Sequence, residues 1–343
     1  MNLVSSESAG LYCAAGGFYI DPWRPVDRAV VTHAHSDHAA TGHGHYLVST
    51  ESEHVSRRRV GATANIQTLA YGEITSINGV KVSLHPAGHV LGSAQVRLEY
   101  GGQVWVVSGD YKTQADPTCS PFEPVRCDVF ITESTFGLPI YRWRDPRELM
   151  QEVSAWWLAN REAGRASVVY AYALGKAQRV LNGVDASIGP IYTHGAVEWL
   201  NEAYRASGVA LPPTRRVSST ERGHDFRGAL IVAPPSTQST PWLRRFGEYA
   251  DAFASGWMQI RGVRRRRAVD RGFALSDHAD WPGLLSAIAA TGARRILVTH
   301  GYSDPLVRWL SERGLNAATL KTEYTGEEGS ADAPAEDVPA VLQ

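Results

Sequence analysis

The chain has 343 residues, 43% hydrophobic and 20% charged, with 32 Gly and 18 Pro scattered rather than periodic, which excludes a fibrous or wholly disordered polymer and allows two ordinary domains. No apolar run approaches the roughly 20 residues of a membrane span, Met1 to Ser8 has neither the basic start nor the apolar core of a secretory signal, and Cys13, Cys119 and Cys127 suit neither a disulfide framework nor a thiolate zinc site. The net charge of −1 hides an acidic bias, six acids and no Lys or Arg in residues 323–343, and a basic one, twelve Arg against five acids in residues 211–273. A cytoplasmic protein without membrane association is expected, with a disordered acidic tail and an arginine-rich stretch suited to a polyanion.

From residue 11 to 132 short β-rich runs are broken by Gly, Pro and polar turns: 17–20, 29–32, 81–85, 94–100, 103–108 and 128–132. At Asp145-Pro146 the character changes, with an N-cap residue and a proline at the first helical position opening a helix to about Ala163. Apolar strands then alternate with helical patterns: strand 166–171, a helix from about 175, strand 191–193, a helix from about 196, strand 229–233. That alternation predicts a parallel α/β module. From about Arg271 the first character returns, with strand 272–275, a helix from about 281, strand 294–300 and a helix from about 304. The reading is an α/β module inserted into a larger layered domain.

The chemistry starts where the strand at 29–32 empties into His33-Ala34-His35-Ser36-Asp37-His38. Three imidazoles and a carboxylate in six positions would repel one another or waste burial without a cation. His33 and His35, two apart, share one side of an extended chain. Two further segments supply ligand-type residues beside strands and next to Gly, namely Gly88-His89 and Ser108-Gly109-Asp110, and Thr299-His300-Gly301 repeats the arrangement. Together they offer seven ligands, enough for two metals if Asp110 bridges. Neutral imidazole and carboxylate suit zinc best and also accept manganese or iron. His43, His45 and His54 lack such a pattern and read as packed or solvated histidines.

His-x-His-x-Asp-His, Gly-His-x-x-Gly-Ser-Ala (88–94) and Ser-Gly-Asp (108–110) resemble the metallo-β-lactamase superfamily. Ile131 to Gly137, Leu275 to Asp280 and Val298 to Gly301 are similar to the A, B and C motifs of its β-CASP nucleases, whose inserted domain clamps nucleic acid. Ala173 to Gln178 and Ala233 to Ser236 resemble the bacterial DNA-ligase-associated exonuclease branch. The fold implied is α/β, an αββα metallo-β-lactamase sandwich with an inserted α/β (β-CASP) domain. Its expected parts are 1–142 and 266–324 for the sandwich, 143–265 for the insertion, and 325–343 for the tail.

Carried over, the resemblance implies that His33, His35 and His89 hold one metal, that Asp37, His38 and His300 hold the other, and that Asp110 bridges them. Asp21 would support the ligands from behind, while Glu133 and His278 would be a catalytic pair acting beside Asp37. Candidate nucleic-acid contacts are Lys176, Ser236, Thr237, Arg264, Arg265, Arg266 and Arg267. The function implied is a two-metal phosphodiesterase, a DNA exonuclease of repair with DNA ligase and helicase as functional partners. Three other readings stand beside it: an RNA-processing nuclease, which a His at the C motif favours; a small-molecule hydrolase, disfavoured by the insertion; and an inactive nucleic-acid-binding scaffold, disfavoured by the full ligand set.

Overall fold

The computed structural model of the chain describes residues 2–324; the predicted tail at 325–343 lies outside them. The chain divides into two compact units, 2–142 with 277–324, and 143–276.

In the first unit, β1 (Val4–Glu7), β2 (Gly10–Cys13), β3 (Phe18–Ile20), β4 (Arg28–Val30), β5 (His45–Ser49) and β6 (Ile66–Leu69) form one sheet in chain order, with α1 (Glu53–Val60) between the last two. The chain continues through β7 (Ile74–Ile77), β8 (Val80–Pro86), β9 (Ala94–Tyr100), β10 (Gln103–Val107) and β11 (Val129–Ser134). After residue 276 come α6 (Trp281–Thr291), β18 (Arg295–Gly301), α7 (Ser303–Ser311) and β19 (Asn316–Thr319), and the second sheet has the order β19-β18-β11-β10-β9-β8-β7.

Both sheets feed one core. Leu11, Phe18, Ile20, Val30 and Leu47 from the first pack with Val82, Leu84, Val96, Leu98, Val107 and Ile131 from the second. The other face of the second sheet is covered by α6 and α7, where Leu284, Ile288, Leu306 and Leu310 meet Phe130, Ile296 and Val298. Burial on both faces explains why β11 and β18 read as continuous apolar runs rather than alternating ones.

Direction decides where the site falls. Strands β8, β9 and β10 pair antiparallel in succession, so β8 and β10 point the same way, and β11 and β18 run parallel to β10. The ends of these four strands therefore meet along one edge of the sheet, each followed by or ending in a motif residue. Ligand sites at the carboxyl ends of parallel strands are a general property of such sheets.

The second unit comprises α2 (Pro146–Glu162), β12 (Ala166–Tyr170), α3 (Lys176–Gly183), β13 (Ile191–Thr193), α4 (Gly195–Ala206), β14 (Arg215–Arg216), β15 (Leu230–Ala233), β16 (Tyr249–Ala254), α5 (Arg261–Arg267) and β17 (Arg271–Phe273). Its sheet, ordered β14-β13-β15-β12-β16-β17, is parallel throughout. The Asp145 carboxylate accepts the Arg147 N–H at 2.7 Å and caps α2. That helix buries Leu149, Met150, Val153 and Trp157 at helical spacing.

One boundary differs from the sequence reading. The return to the first unit, expected at 266, falls at 277, because Ala252 to Ala254 pair in register with Arg271 to Phe273 and hold that strand on the edge of the third sheet.

Trp157 is fully enclosed, and its Nε1–H donates to the Gly228 carbonyl at 3.0 Å. Trp157→Ala should lower unfolding stability by about 3–5 kcal/mol, read as a shifted denaturant midpoint. A loss below about 1 kcal/mol would mean that this indole does not anchor α2.

Candidate metal centre

Four histidine rings are locked from behind. Thr32 Oγ1 gives its proton to Asp21 Oδ2 at 2.5 Å, so the neighbouring His33 Nδ1, 3.0 Å away, must donate to that hydroxyl. His38 Nδ1 lies 2.7 Å from the same Asp21 oxygen, and His89 Nδ1 lies 2.9 Å from the Asp277 carbonyl. His300 Nδ1 lies 3.3 Å from Thr299 Oγ1, whose proton goes to the Thr132 carbonyl. In each ring the Nδ1–H is committed to an acceptor outside the cluster, which leaves Nε2 as the nitrogen turned inward, free to ligate once it carries no proton.

All four Nε2 atoms face Asp110. Asp110 Oδ2 is 3.6 Å from His33, 3.8 Å from His89 and 3.5 Å from His38, and Oδ1 is 3.1 Å from His300. His35 completes one side: its Nδ1 lies 3.1 Å from His33 Nε2 and 3.0 Å from His89 Nε2. Asp37 stands on the other side, 3.8 Å from His38 Nε2. The structure thus gathers the seven sequence candidates into two groups that share Asp110, with Asp21 behind two of them.

Local sequence accounts for these positions. Asp21 leaves β3 with φ 45°, a left-handed conformation that Asp tolerates better than most residues, and its carboxylate also takes the Thr32 N–H at 2.7 Å. Gly109 (φ 56°) lets the loop before Asp110 press on Thr32: a Cβ there would lie 2.6 Å from Thr32 Oγ1. Gly88 (φ 72°) leaves no room for a Cβ against the Lys112 carbonyl. Ser93 Oγ, further along the same motif, receives the His89 and Val90 N–H groups at 3.0 and 3.2 Å.

The donor set fits divalent cations. His38 Nε2, His300 Nε2 and Asp110 Oδ1 are enclosed without a hydrogen-bond partner, an expensive arrangement unless a cation receives their lone pairs. Tetrahedral ligation at about 2.0–2.1 Å separates ligand nitrogens by roughly 3.3 Å, close to the spacing of His33, His35 and His89. Burial, with lesser pushes from His38 and His89, holds His33 well below its ordinary pKa; burial followed by His278 and His35 does the same for His89, so both rings stay neutral and able to ligate. Burial also presses on His38, but Asp110, Asp37 and Asp21 outweigh it and hold that ring at about 10, so without a cation a proton occupies its Nε2 and a metal bound there would displace it. Burial alone would push Asp110 up, yet His38, His278 and His300 keep it well below the usual carboxylate range. The centre therefore carries surplus negative charge of the kind that divalent cations neutralise.

Beside this cluster, His278 Nδ1 lies 3.0 and 2.9 Å from the two oxygens of Glu133, both side chains fully buried. Asp110, Glu133 and His278 also offer ligand atoms within 4.8 Å of one another. Glu133, however, is already occupied by the Tyr111 N–H at 2.8 Å, the Thr135 N–H at 3.3 Å and His278.

The nucleic-acid candidates lie in the second unit. Lys176 is fully enclosed, 4.8 Å over the Tyr172 ring, and Thr237 is buried with its hydroxyl on the Pro234 carbonyl. Neither offers a surface group for a phosphate, a correction to the sequence expectation; Ser236 is exposed. Arg264, Arg265 and Arg266 are exposed on α5, while Arg267 is half-buried, 4.6 Å over Phe253. Arg264 and Arg265 line a groove of about 810 Å³ with Arg144, Arg261 and Arg271. Of the other histidines, His43 accepts the Val26 N–H and packs on Tyr46.

The sequence reading missed Tyr324. Its ring stacks on His38 (centroids 4.4 Å apart, planes at 13°) and stands edge-on to His300 at 5.7 Å. It is the only aromatic residue after Trp309, a signal masked by the acidic stretch around it.

Because Asp110 presents its carboxylate to imidazoles of both groups, Asp110→Asn should leave dialysed protein with no bound divalent metal, whereas His35→Ala should keep about one per chain by elemental analysis. Equal losses in the two variants would contradict a shared bridging carboxylate.

No protein-family model matches the chain. It is 32% identical over 330 residues to a probable DNA ligase of Opitutus terrae, a match covering 95% of this chain and 32% of that protein. It is 34% identical over 118 residues to the endoribonuclease YSH1 of Yarrowia lipolytica, covering 34% of this chain and 14% of that one. Among solved structures, a protein of unknown function from Enterococcus faecalis shares the fold at TM-score 0.59 and 12% identity, over 86% of this chain and 79% of its own. The chain spans about a third of the ligase-named relative and a seventh of the endoribonuclease; it is a mixed α/β protein with a His/Asp cluster suited to metal, similar in sequence to proteins named for a DNA ligase and for nucleases.

Proposed function

We propose that the chain is a two-metal phosphodiesterase of the metallo-β-lactamase superfamily, a β-CASP DNA exonuclease acting in repair alongside a DNA ligase. The observation that carries this reading is the buried Glu133–His278 pair beside a two-group ligand cluster centred on Asp110. A phosphodiesterase needs an acid for the leaving oxygen as well as a cation site, and the pair supplies it. DNA is favoured because the similarity that spans 95% of the chain is to a DNA-ligase-named protein. An RNA-processing activity is the second reading, favoured by the endoribonuclease-named relative and by the imidazole at His300.

In this reading His33, His35 and His89 hold one cation, Asp37, His38 and His300 the other, and Asp110 both; zinc suits the donors best, with manganese and iron also compatible. When bound, the two cations supply a hydroxide nucleophile at neutral pH and offset charge on the phosphoryl oxygens. The chain's own residues do the rest. Asp21, Thr32, Thr299 and the Asp277 carbonyl hold the rings in place. Glu133 accepts the Nδ1–H of His278, so the proton for the leaving oxygen comes from Nε2, and the carboxylate stabilises the imidazolium until transfer. Arg264, Arg265 and Arg266 contact backbone phosphates.

His278→Ala should reduce cleavage of single-stranded DNA by about 10²–10⁴-fold while metal content stays at the wild-type level. Loss of metal from that variant, or activity within a few-fold of wild type, would remove the assigned role. Replacing Arg264, Arg265, Arg266 and Arg267 together by Ala should weaken DNA binding and flatten its salt dependence, since each lost phosphate contact reduces the log–log slope by roughly 0.7 on a single strand. An unchanged slope would show that α5 lies off the DNA path.

A further inference from the structure

The stretch after β19 is pinned at several points in the first unit. The Leu320 N–H donates to the Val298 carbonyl at 2.8 Å, Ser6 Oγ donates to the Lys321 carbonyl at 2.6 Å, and Arg24 pairs with Glu323 at 3.4 Å. It ends, among the described residues, at Tyr324, which meets Trp23 edge-on at 5.5 Å.

Tyr324 touches one half of the metal centre. Its ring lies flat on His38 and edge-on to His300, while its hydroxyl donates to the Asp21 carbonyl at 3.2 Å. Asp21 in turn holds His38 Nδ1 at 2.7 Å. The imidazole of His38 is thus gripped at its edge by a carboxylate and on its face by a phenol that rests on the same residue's backbone. No ring contact or hydrogen bond of this kind links Tyr324 to His33, His35 or His89, whose rings pack on one another at 4.7–4.8 Å. The two halves share Asp21, which holds His38 directly and His33 through Thr32, and His33 packs on His38 at 4.2 Å, but the Tyr324 ring meets only the second half.

We propose that Tyr324 is a positioning residue for the His38–His300 half alone, making cation affinity there depend on a segment more than twenty residues beyond the last ligand. A ring free to rotate about Cα–Cβ must be immobilised before its lone pair can serve a cation, and partners that orient ligand rings are typically worth 10–100-fold in metal affinity. Because the stack and not the hydroxyl makes the contact with His38, Tyr324→Phe should preserve most of the effect. The inference rests on the two-cation reading above.

The test is calorimetric titration of the metal-stripped full chain with Mn²⁺ alone. Wild type should bind two Mn²⁺; Tyr324→Ala should bind one unchanged and the other at least about 10-fold more weakly, with Tyr324→Phe within about 3-fold of wild type. In the His35→Ala background, where the Asp37–His38–His300 half remains, adding Tyr324→Ala should weaken the single remaining site by the same factor. Two sites of wild-type affinity in Tyr324→Ala would overturn the inference. So would equal weakening of both sites together with a lower melting temperature of the stripped protein, which would make Tyr324 a general structural prop. If wild type itself binds fewer than two Mn²⁺, the two-cation reading fails first, an outcome distinguishable from failure of Tyr324 alone.

Discussion

The centre depends on one constraint, that every imidazole of the cluster except His35 gives its Nδ1 proton to an acceptor outside the cluster. Once Asp21, Thr32, Asp277 and Thr299 have taken those protons, four Nε2 atoms are forced toward the Asp110 carboxylate. In an enclosed site bare lone pairs and a carboxylate are costly together, so the fold pre-arranges a demand for positive charge. The left-handed backbone at Asp21 and the close approach of Gly109 to Thr32 serve the same end.

The sheet makes the arrangement reachable. His89, Asp110, Glu133 and His300 belong to strand ends 211 residues apart in the chain, yet β8, β10, β11 and β18 run in one direction within one sheet and release them along one edge. Parallel pairing of β11 with β18 also sets Ser134 beside Gly301, with the Ser134 hydroxyl on the His300 carbonyl at 2.6 Å. The strand end that carries Glu133 and the one that carries His300 are thereby locked to each other. No helix among the described residues is long and apolar enough to cross a membrane.

Much of this was legible in the sequence because the informative residues are local. Three histidines and an aspartate in six positions identify a metal loop without any fold, and strands β9 and β13 have the bounds that their apolar patterns predict. What escaped lacks such a pattern. Strands β7 and β19 are largely exposed sheet edges, and half of β16 is alanine. The segment 271–273 has a strand pattern but no local mark of which sheet it joins. Lys176 at the start of α3 looks like a phosphate-binding lysine until its enclosure against Tyr172 is known. Pairing of Glu133 with His278, 145 residues apart, came only through the family resemblance, and Tyr324 was hidden because Asp21, Trp23 and His38, which it touches, lie roughly 300 residues upstream.

The central claim is that cations held around Asp110 serve phosphodiester hydrolysis. Its most direct test is incubation of the purified chain with Mn²⁺ or Zn²⁺ and end-labelled single-stranded DNA and RNA, with the products resolved by length. The account predicts metal-dependent shortening of DNA from one end, faster than that of RNA. Intact DNA and RNA under both metals, in protein shown to carry two cations per chain, would contradict it.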